Sequence, residues 1–423
     1  MRVEPARSVR GTFTLPGDKS ISHRAAILGA MADGTTRASN FSSAADCAST
    51  LACLRGLGLR VERDGNLVQI QGGIEAWRAP AAVLDAGNSG STIRMLAGPL
   101  ASRPFRSSLT GDDSLRRRPL ERVAAPLRAM GATIETTDGH APLTITGGRL
   151  RGMSHELPVA SAQVKTALLL AGLGAEGRTS VREPMPSRDH TERMLKAFGA
   201  EVERDGLTAS VSGGTRLRAA SVQVPGDASS AAFLVVAALV LPDSEVRLEG
   251  VLLSPTRTAF LDVLRAMGAQ VEARLERGEP EPVGTIVARS SALAGTRVDP
   301  ALVPSLIDEV PALAVAGAFA SGAFEVTGAA ELRHKETDRI AALARGLGAL
   351  GARVSERPDG LRVEGGHRLT GAEVDSEDDH RIAMALSVAA LAATGASEIR
   401  RAECVSVSFP SFYDVLGRAT GRA

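Results

Sequence analysis

The cations that could bind a ligand stand in or near short polar segments that precede apolar runs. They are Lys19, Arg24, Arg94, Lys165 and Arg381, with further cations at Arg118, Arg188, Lys335 and Arg339. Arginine and lysine bind phosphate and carboxylate oxygens through charge-assisted hydrogen bonds. The whole chain carries 49 basic and 48 acidic side chains, a formal charge of +1, so this positive charge is local. The pattern indicates a small ligand with several negative charges.

Simpler interpretations of the same residues stay open at this point. A capping Ser or Asp can begin a helix without binding a ligand, and Asp308 in IDEVPALAV is expected to cap the helix that follows it. The helical spacing of Lys335, Glu336 and Arg339 in LRHKETDRI also fits an exposed salt-bridge face. In the run RRRP at 116–119, one arginine is expected to bind ligand.

Six segments share the design that must position these cations. They are GDKSISHRAAILGAM, GNSGSTIRMLAGPL, SAQVKTALLLAGL, GDASSAAFLVVAAL, IDEVPALAVAGAF and EDDHRIAMALSVAAL. A small or acidic polar cluster followed by an almost wholly apolar run predicts an N-capped helix that is buried on every side. Helix starts carry unpaired N–H groups and a partial positive charge. Six such helices predict two bundles of three, with helix starts that favour anions.

A second series recurs about every 70 residues and alternates with the first. Its copies are LRGLGLRVERDG, LRAMGATIETTDG, LKAFGAEVERDG, LRAMGAQVEARLE and LGALGARVSERPDG. Each predicts the end of an amphipathic helix, a capping glycine, a strand, a turn and a second strand. A sixth copy is expected to end in SFYDVLGRATGRA, with VRGTFTL at 9–15 supplying its missing strand. This pairing would join the two termini in one domain.

Length and composition restrict the function classes. At 423 residues the chain exceeds the usual size of one hydrophobic core, so two domains are expected. Apolar residues at 44% and charged residues at 23% are typical of a folded protein. With 3% aromatic residues and near-neutral charge, binding of nucleic acid is not expected.

Three cysteines, Cys47, Cys53 and Cys404, lack metal-ligand spacing, which predicts a reducing compartment without disulfides or zinc. The N-terminus MRVEPARSVRG has no apolar signal region, and the longest apolar run, at 231–241, is too short to span a bilayer. We therefore expect a cytoplasmic protein without membrane partners.

Ten ordered segments resemble the 5-enolpyruvylshikimate-3-phosphate synthase family along essentially the whole chain. They are PGDKSISHR, GNSGSTIR, LTGDDSLRRRP, SAQVKTALL, RDHTE, PGDASSA, IDEVPALAV, HKETDRI, EDDHRIAM and SFPSFYDVL. GDKS, SAQVK and RDHTE are similar to the class II variant, whereas SPTR at 254–257 departs from the NxTR pattern of that class.

The resemblance implies an α/β (α+β) fold with two inside-out α/β barrel domains, built from six βαβαββ units, three per domain. The first domain would comprise residues 1–17 plus 227–423 and the second residues 18–226, with the active site in the interdomain cleft. The implied reaction moves the enolpyruvyl group of phosphoenolpyruvate onto the 5-hydroxyl of shikimate 3-phosphate and releases phosphate. The 5-hydroxyl attacks C2, C3 is protonated, and the tetrahedral ketal phosphate then loses phosphate.

The same resemblance implies the site residues. Those for shikimate 3-phosphate are Lys19, Ser20, Arg24, Ser161, Ala162, Gln163, Arg188, Asp308 and Lys335. Those for phosphoenolpyruvate are Lys19, Gly90, Arg118, Gln163, Arg339 and Arg381. The implied catalytic residues are Asp308 as proton acceptor, Glu336 with Lys335 for the proton at C3, and Lys19 near the reacting hydroxyl.

Neither a cofactor nor a metal is implied, and a monomer is expected. In this family the herbicide glyphosate resembles a competitor for the phosphoenolpyruvate site. Some resistant members carry alanine where this chain has Gly90, so the resemblance implies sensitivity.

Three other functions fit these residues less well. UDP-N-acetylglucosamine enolpyruvyl transferase shares the donor, but here Ser20 follows Lys19 and the GDDSLRRRP loop has no cysteine. An RNA 3′-terminal phosphate cyclase would need a basic RNA-binding face, which the neutral chain does not favour. A non-catalytic anion-binding protein would not need Lys335, Glu336 and Asp308 in this register.

Overall fold

The computed structural model describes residues 1–422, which form two compact lobes. The terminal lobe contains Met1–Pro16 and the chain from Pro225 onward, and the central lobe is Gly17–Val224. The chain therefore passes between lobes twice, once after Pro16 and once after Val224.

Short strands make up most of each repeat. In chain order they are β1 (Arg2–Val3), β2 (Arg10–Thr14), β3 (Gly34–Ser39), β4 (Arg60–Asp64), β5 (Leu67–Gly72), β6 (Leu84–Asp85), β7 (Arg106–Thr110), β8 (Thr133–Thr137), β9 (His140–Thr146), β10 (Leu150–Arg151), β11 (Ser154–Glu156), β12 (Ala175–Glu176), β13 (Arg178–Arg182), β14 (Glu203–Asp205), β15 (Thr208–Ser212), β16 (Ser221–Gln223), β17 (Glu245–Leu252), β18 (Gln270–Arg277), β19 (Val283–Arg289), β20 (Ala323–Val326), β21 (Arg353–Arg357), β22 (Gly360–Glu364), β23 (Glu373–Asp375) and β24 (Ser397–Arg400).

The helices alternate with these strands. They are α1 (Lys19–Met31), α2 (Ala45–Gly56), α3 (Gly90–Ala101), α4 (Asp113–Arg116), α5 (Glu121–Ala129), α6 (Ala162–Leu173), α7 (His190–Ala197), α8 (Ala228–Val240), α9 (Ala259–Ala266), α10 (Val303–Leu306), α11 (Val310–Phe319), α12 (Arg339–Ala349), α13 (His380–Leu391) and α14 (Phe412–Ala419). Short 3-10 helices cover Ile74–Ala76, Pro300–Leu302, Ala330–His334 and Ala402–Val407.

The sheets confirm the repeated unit that the sequence predicts. Three four-stranded sheets of the central lobe have the orders β16-β3-β5-β4, β6-β7-β9-β8 and β11-β13-β15-β14. In each sheet, the first strand lies at the edge and pairs in parallel with the second strand, and all other neighbouring strands pair antiparallel. The terminal lobe has the orders β18-β19-β17-β2, β20-β22-β21 and β1-β24-β23.

The prediction that residues 9–15 complete the sixth copy is wrong. Strand β2 pairs in parallel with β17 of the fourth unit, and the two-residue strand β1 is the one that joins β24. Strand β16, which precedes α8, pairs with β3 of the first unit. The strands β2 and β16 are thus exchanged between units, although the two termini do share one lobe.

The six apolar segments form the buried helices of the two lobes. Helices α1, α3 and α6 lie in the central lobe, and α8, α11 and α13 contact one another in the terminal lobe. Nearly every side chain of these helices is buried. Five of the six begin with a side-chain N-cap, from Asp18, Ser89, Ser161, Asp227 or Asp379.

The glycines that mark the second series have the expected role. Each stands two residues after the last residue of an amphipathic helix and has a positive φ. They are Gly58, Gly131, Gly199, Gly268 and Gly351, with φ from 84° to 115°. Glycine adopts this conformation without steric cost, so the chain can leave the helix and enter the next strand.

Candidate active site

The start of α1 holds two residues of the predicted site. Asp18 caps the helix by accepting a hydrogen bond from the Ile21 N–H. Lys19 Nζ lies 2.9 Å from Asp46 Oδ2, and the two side chains are only 15% and 7% exposed. Ser20 Oγ accepts a hydrogen bond of 3.2 Å from Arg188 Nη1. This helix start is therefore cationic and polar, within a largely buried setting.

Arg24 connects the starts of α1, α6 and α7. Its Nε donates to Thr191 Oγ1 at 2.7 Å and its Nη2 donates to Thr166 Oγ1 at 2.8 Å. Its Nη1 donates to the Ser20 carbonyl at 2.9 Å. Arg24 is 3% exposed, so these contacts fix the position of a buried guanidinium.

A second group of predicted residues surrounds the start of α3. Gln163 Oε1, on α6, accepts a hydrogen bond of 2.9 Å from Arg94 Nη1 on α3. Arg118 Nη2 donates to Asn88 Oδ1 at 2.7 Å, in the loop before α3. A Cβ atom at Gly90 would lie 2.8 Å from Arg94 Nη1 and 3.4 Å from Arg118 Nη1. Glycine at this position therefore leaves room for two guanidinium groups.

The start of α6 presents Ser161 and Ala162. Ser161 Oγ accepts from the Val164 N–H and so caps the helix, and the Ser161 N–H donates to Glu183 Oε1 at 3.0 Å. Ala162 is the first residue of the helix, and its carbonyl accepts from Thr166 Oγ1. In the central lobe, the predicted site residues thus lie at the starts of α1, α3 and α6 and in the segments of Arg118 and Arg188 that contact these starts.

In the terminal lobe three predicted cations surround Asp308. Its Oδ1 lies 3.3 Å from Arg339 Nη1, 3.7 Å from Arg381 Nε and 3.9 Å from Lys335 Nζ. The Asp308 carbonyl also accepts a hydrogen bond of 3.2 Å from Arg381 Nη1. Several positive charges around one carboxylate stabilise its ionised form.

Arg339 is the centre of this group. Besides Asp308, it contacts Glu336 Oε2 at 2.6 Å and Asp379 Oδ2 at 2.8 Å, and its side chain is 1% exposed. Burial alone would lower the pKa of this guanidinium, but Asp379, Glu336 and Asp308 raise the pKa above its usual value. Burial lowers the pKa of Lys335; Asp308 opposes this change and Arg339 adds to it.

These contacts correct two of the simpler interpretations. Glu336 and Arg339 do pair, but the guanidinium is buried, so an exposed salt-bridge face is wrong for them. Asp308 does not cap α11, because Glu309 precedes the helix and Asp308 contacts the three cations. Of the three arginines at 116–118, only Arg118 is buried.

Lys165 differs from the other cations at helix starts. Its Nζ lies 2.7 Å from Glu183 Oε2 and 2.8 Å from Glu192 Oε1, and all three side chains are 5% exposed or less. Two carboxylates therefore compensate its charge inside the central lobe. The expectation that Lys165 contributes to a positively charged ligand site does not agree with these contacts.

Comparison with known proteins identifies the family. The model of the family described as EPSP synthase (3-phosphoshikimate 1-carboxyvinyltransferase) matches residues 3–416. The chain belongs to this family. A 3-phosphoshikimate 1-carboxyvinyltransferase from Koribacter versatilis (strain Ellin345) is 50% identical over 424 residues, covering 100% of this chain and 99% of that protein.

Similarity to solved structures supports the assignment to the EPSP synthase family. An EPSP synthase from Acinetobacter baumannii superimposes with a TM-score of 0.88 at 44% identity, covering 99% of this chain and 97% of that one. The enolpyruvyl transferase NikO from Streptomyces tendae gives a TM-score of 0.79 at 20% identity, covering 99% and 96%, which shows the fold alone. The chain therefore has the two-domain inside-out α/β barrel fold of the EPSP synthase family.

Sequence reasoning missed two carboxylates that contact predicted site residues. Asp379 caps α13 and also binds Arg339, and the EDDHRI segment offered a signal because an acidic residue directly precedes an apolar helix. Asp46 binds Lys19 from α2, 27 residues away in the chain. No spacing or motif in the sequence predicts that second contact.

The lengths of the helices and the positions of the acidic, histidine and cysteine side chains bear on membrane and metal binding in this EPSP synthase family member. Within residues 1–422, no single helix is long and apolar enough to cross a membrane. The segments Pro300–Leu306 and Val310–Phe319 reach such a length and apolar composition only when they are taken together, and a 117° bend separates them. In the same part of the chain, no group of three or more His, Cys, Asp or Glu side chains is arranged to hold a metal ion.

Proposed function

We propose that the residues described above catalyse transfer of the enolpyruvyl group from phosphoenolpyruvate to the 5-hydroxyl of shikimate 3-phosphate, with release of phosphate. One observation carries the assignment of roles: in a chain of the EPSP synthase family, a single buried guanidinium, Arg339, contacts the two carboxylates Asp308 and Glu336. A pair of carboxyl groups can supply the base and the acid for proton transfer from and to the substrates.

Shikimate 3-phosphate is assigned mainly to the central lobe. The binding residues are Lys19, Ser20, Arg24, Ser161, Ala162, Gln163 and Arg188, with Asp308 and Lys335 from the terminal lobe. Two helix starts support this assignment, because unpaired N–H groups favour an anion such as the 3-phosphate. Arg24 and Arg188 add guanidinium groups that match phosphate and carboxylate oxygens.

Phosphoenolpyruvate is assigned to residues from both lobes. Lys19, Gly90, Arg118 and Gln163 belong to the central lobe, and Arg339 and Arg381 belong to the terminal lobe. The proposed domains are residues 1–17 plus 227–423 and residues 18–226. A substrate with a carboxylate and a phosphate group can compensate cations from two domains.

Asp308 is the proposed proton acceptor for the 5-hydroxyl. Three cations lie around its carboxylate and favour the ionised form, which is the form that can accept a proton. An anionic donor bound to Arg339 and Arg381 would reduce the positive potential at Asp308.

Glu336 and Lys335 are the proposed groups for the proton at C3. Glu336 contacts Arg339 at 2.6 Å, and Lys335 has a pKa below its usual value, mainly because partial burial of the side chain disfavours its charged form. A lowered pKa makes a lysine a better proton donor near neutral pH. Asp308 and Glu336 can exchange the roles of acid and base between the addition and elimination steps. Lys19 would lie near the reacting hydroxyl.

The proposed reaction is tested by phosphate release from phosphoenolpyruvate. We expect release only when shikimate 3-phosphate is also present, without an added cofactor or metal. UDP-N-acetylglucosamine serves as the control acceptor and is expected to give no release. Release with that control alone, or no release with either acceptor, would reject the proposed function.

Gly90→Ala tests the phosphoenolpyruvate site. The new Cβ would lie 2.8 Å from Arg94 Nη1, so the guanidinium that holds Gln163 must shift. One methyl group in a binding pocket can change discrimination by roughly 10-fold or more. We expect the wild-type protein to be inhibited by glyphosate, and the variant to show a Ki about 10-fold higher and a raised KM for phosphoenolpyruvate.

Gly148→Ala is the matched control, because a Cβ atom there meets no heavy atom within 4 Å. Its Ki for glyphosate is expected to equal that of the wild type. A wild-type Ki far above the KM for phosphoenolpyruvate would contradict the assignment of sensitivity. An unchanged Ki in Gly90→Ala would contradict the place of Gly90 in the site.

We also propose that the protein is a cytoplasmic monomer whose ligands are small molecules, with no nucleic-acid partner. The near-neutral formal charge of +1 and the 3% aromatic content support this part of the proposal. Light scattering should give a molar mass close to 43.8 kDa. A mass twice that value would contradict the monomer.

A further inference from the structure

The carboxylate of Glu183 is buried in the central lobe and joins two segments that carry proposed ligand-binding residues. Glu183 follows strand β13, is 3% exposed, and its N–H donates to the Leu207 carbonyl at 3.1 Å. Its Oε1 accepts a hydrogen bond of 3.0 Å from the Ser161 N–H, and its Oε2 accepts one of 2.8 Å from Ser187 Oγ. Ser161 begins α6, and Ser187 directly precedes Arg188.

We propose that Glu183 is a positioning residue for shikimate 3-phosphate. It fixes Ser161 and the segment of Arg188 relative to each other, so that both face the same anionic group. Arg188 is itself held by its hydrogen bond to Ser20 Oγ, which adds the start of α1 to the arrangement. This inference rests on the proposed function, because it deepens the role of the same site.

Lys165 explains why a charged carboxylate can occupy this position. Its Nζ lies 2.7 Å from Glu183 Oε2 and 2.8 Å from Glu192 Oε1. A buried carboxylate without a cation would lose its charge or destabilise the fold. Lys165 compensates the charge of Glu183, and it also forms an ion pair with Glu192 of α7. The positive charge of Lys165 therefore does not compete with Arg24 and Arg188 for the ligand.

The contacts distinguish the two acidic partners of Lys165. Glu183 accepts hydrogen bonds from Ser161 and Ser187, whereas the contact described for Glu192 joins it to Lys165. A role limited to charge compensation would make the two carboxylates equivalent. A positioning role would make only Glu183 important for affinity toward shikimate 3-phosphate.

The test compares Glu183→Gln with Glu192→Gln in steady-state kinetics. Each variant removes one negative charge and leaves Lys165 with one carboxylate, so the change in buried charge is the same in both. In Glu183→Gln we expect the KM for shikimate 3-phosphate to rise roughly 10- to 100-fold, since small displacements of positioning groups have effects of this size. We expect the KM for phosphoenolpyruvate, measured at saturating shikimate 3-phosphate, to change less than about 2-fold, and Glu192→Gln to keep both wild-type values.

Equal increases in the two variants, equal increases in both KM values, or an unchanged KM for shikimate 3-phosphate would overturn the proposal. If Glu183→Gln does not fold, Ser187→Ala removes one of the two hydrogen bonds and should give a smaller, still selective rise. An unchanged KM in Ser187→Ala would then reject the proposal. Failure of the proposed function itself is distinguishable, because the wild-type protein would then release no phosphate with shikimate 3-phosphate.

Discussion

Asp308→Asn should lower kcat by a factor of about 10² to 10⁴, the range expected when a general base is lost. Asparagine has nearly the same size and can still accept the hydrogen bond from Arg339, but it cannot take the proton of the 5-hydroxyl. The change also removes a negative charge beside three cations, which lie 3.3 to 3.9 Å from the carboxylate. Affinity for phosphoenolpyruvate should therefore stay the same or increase.

Single-turnover kinetics and calorimetric titration of both substrates separate these two effects. Asp299→Asn is the control, because Asp299 is exposed in the same lobe and asparagine can replace it as the cap of the Ala301 N–H. The control should keep the wild-type kcat. If Asp308→Asn turned over at the wild-type rate, Asp308 would not be the base.

Repeats and buried helices could be predicted from the sequence because each depends on local patterns. The positive φ of Gly58 and the cap at Asp18 follow from residue types next to a helix end. The pairing of β2 with β17 could not be predicted in this way, since a strand shows which face is apolar but does not show which other strand it pairs with. The exchange of β2 and β16 is a long-range property of the fold.

The candidate site shows the same division between local and distant information. Resemblance to the family identified Arg339 and Asp308, which lie near each other in the structure. Asp46 and Glu183 were not identified, because each reaches its partner from a distant segment. The cation Lys165 was misjudged for the same reason, since its two compensating carboxylates are 18 and 27 residues away in the chain.

Removal of the Arg339 guanidinium should have the largest effect on stability. Arg339→Met would leave Glu336 and Asp379 without a cation that they now contact at 2.6 and 2.8 Å, and Asp379 is fully buried. Removing one partner of a buried ion pair costs about 3–5 kcal/mol. We expect a loss of this size in the free energy of unfolding, measured by denaturant titration.

Arg339→Lys separates stability from binding. A lysine keeps the positive charge, but one ammonium group cannot replace a guanidinium that contacts three carboxylates through separate nitrogens. The loss of unfolding free energy should be smaller than in Arg339→Met, while the KM for phosphoenolpyruvate should rise by about 10² or more, because a buried charge-assisted contact costs several kcal/mol when it is lost.

Arg345→Met is the matched control on the same helix. Arg345 pairs with Glu377, but its side chain is 59% exposed, so solvent weakens this pair and the change should cost less than about 1 kcal/mol. The kinetic constants of the control should equal those of the wild type. An Arg339→Met protein as stable as this control would mean that Asp379 and Glu336 do not depend on Arg339. An unchanged KM for phosphoenolpyruvate in Arg339→Lys would show that Arg339 does not bind phosphoenolpyruvate, because the lysine variant retains the charge and differs in the geometry of its donors.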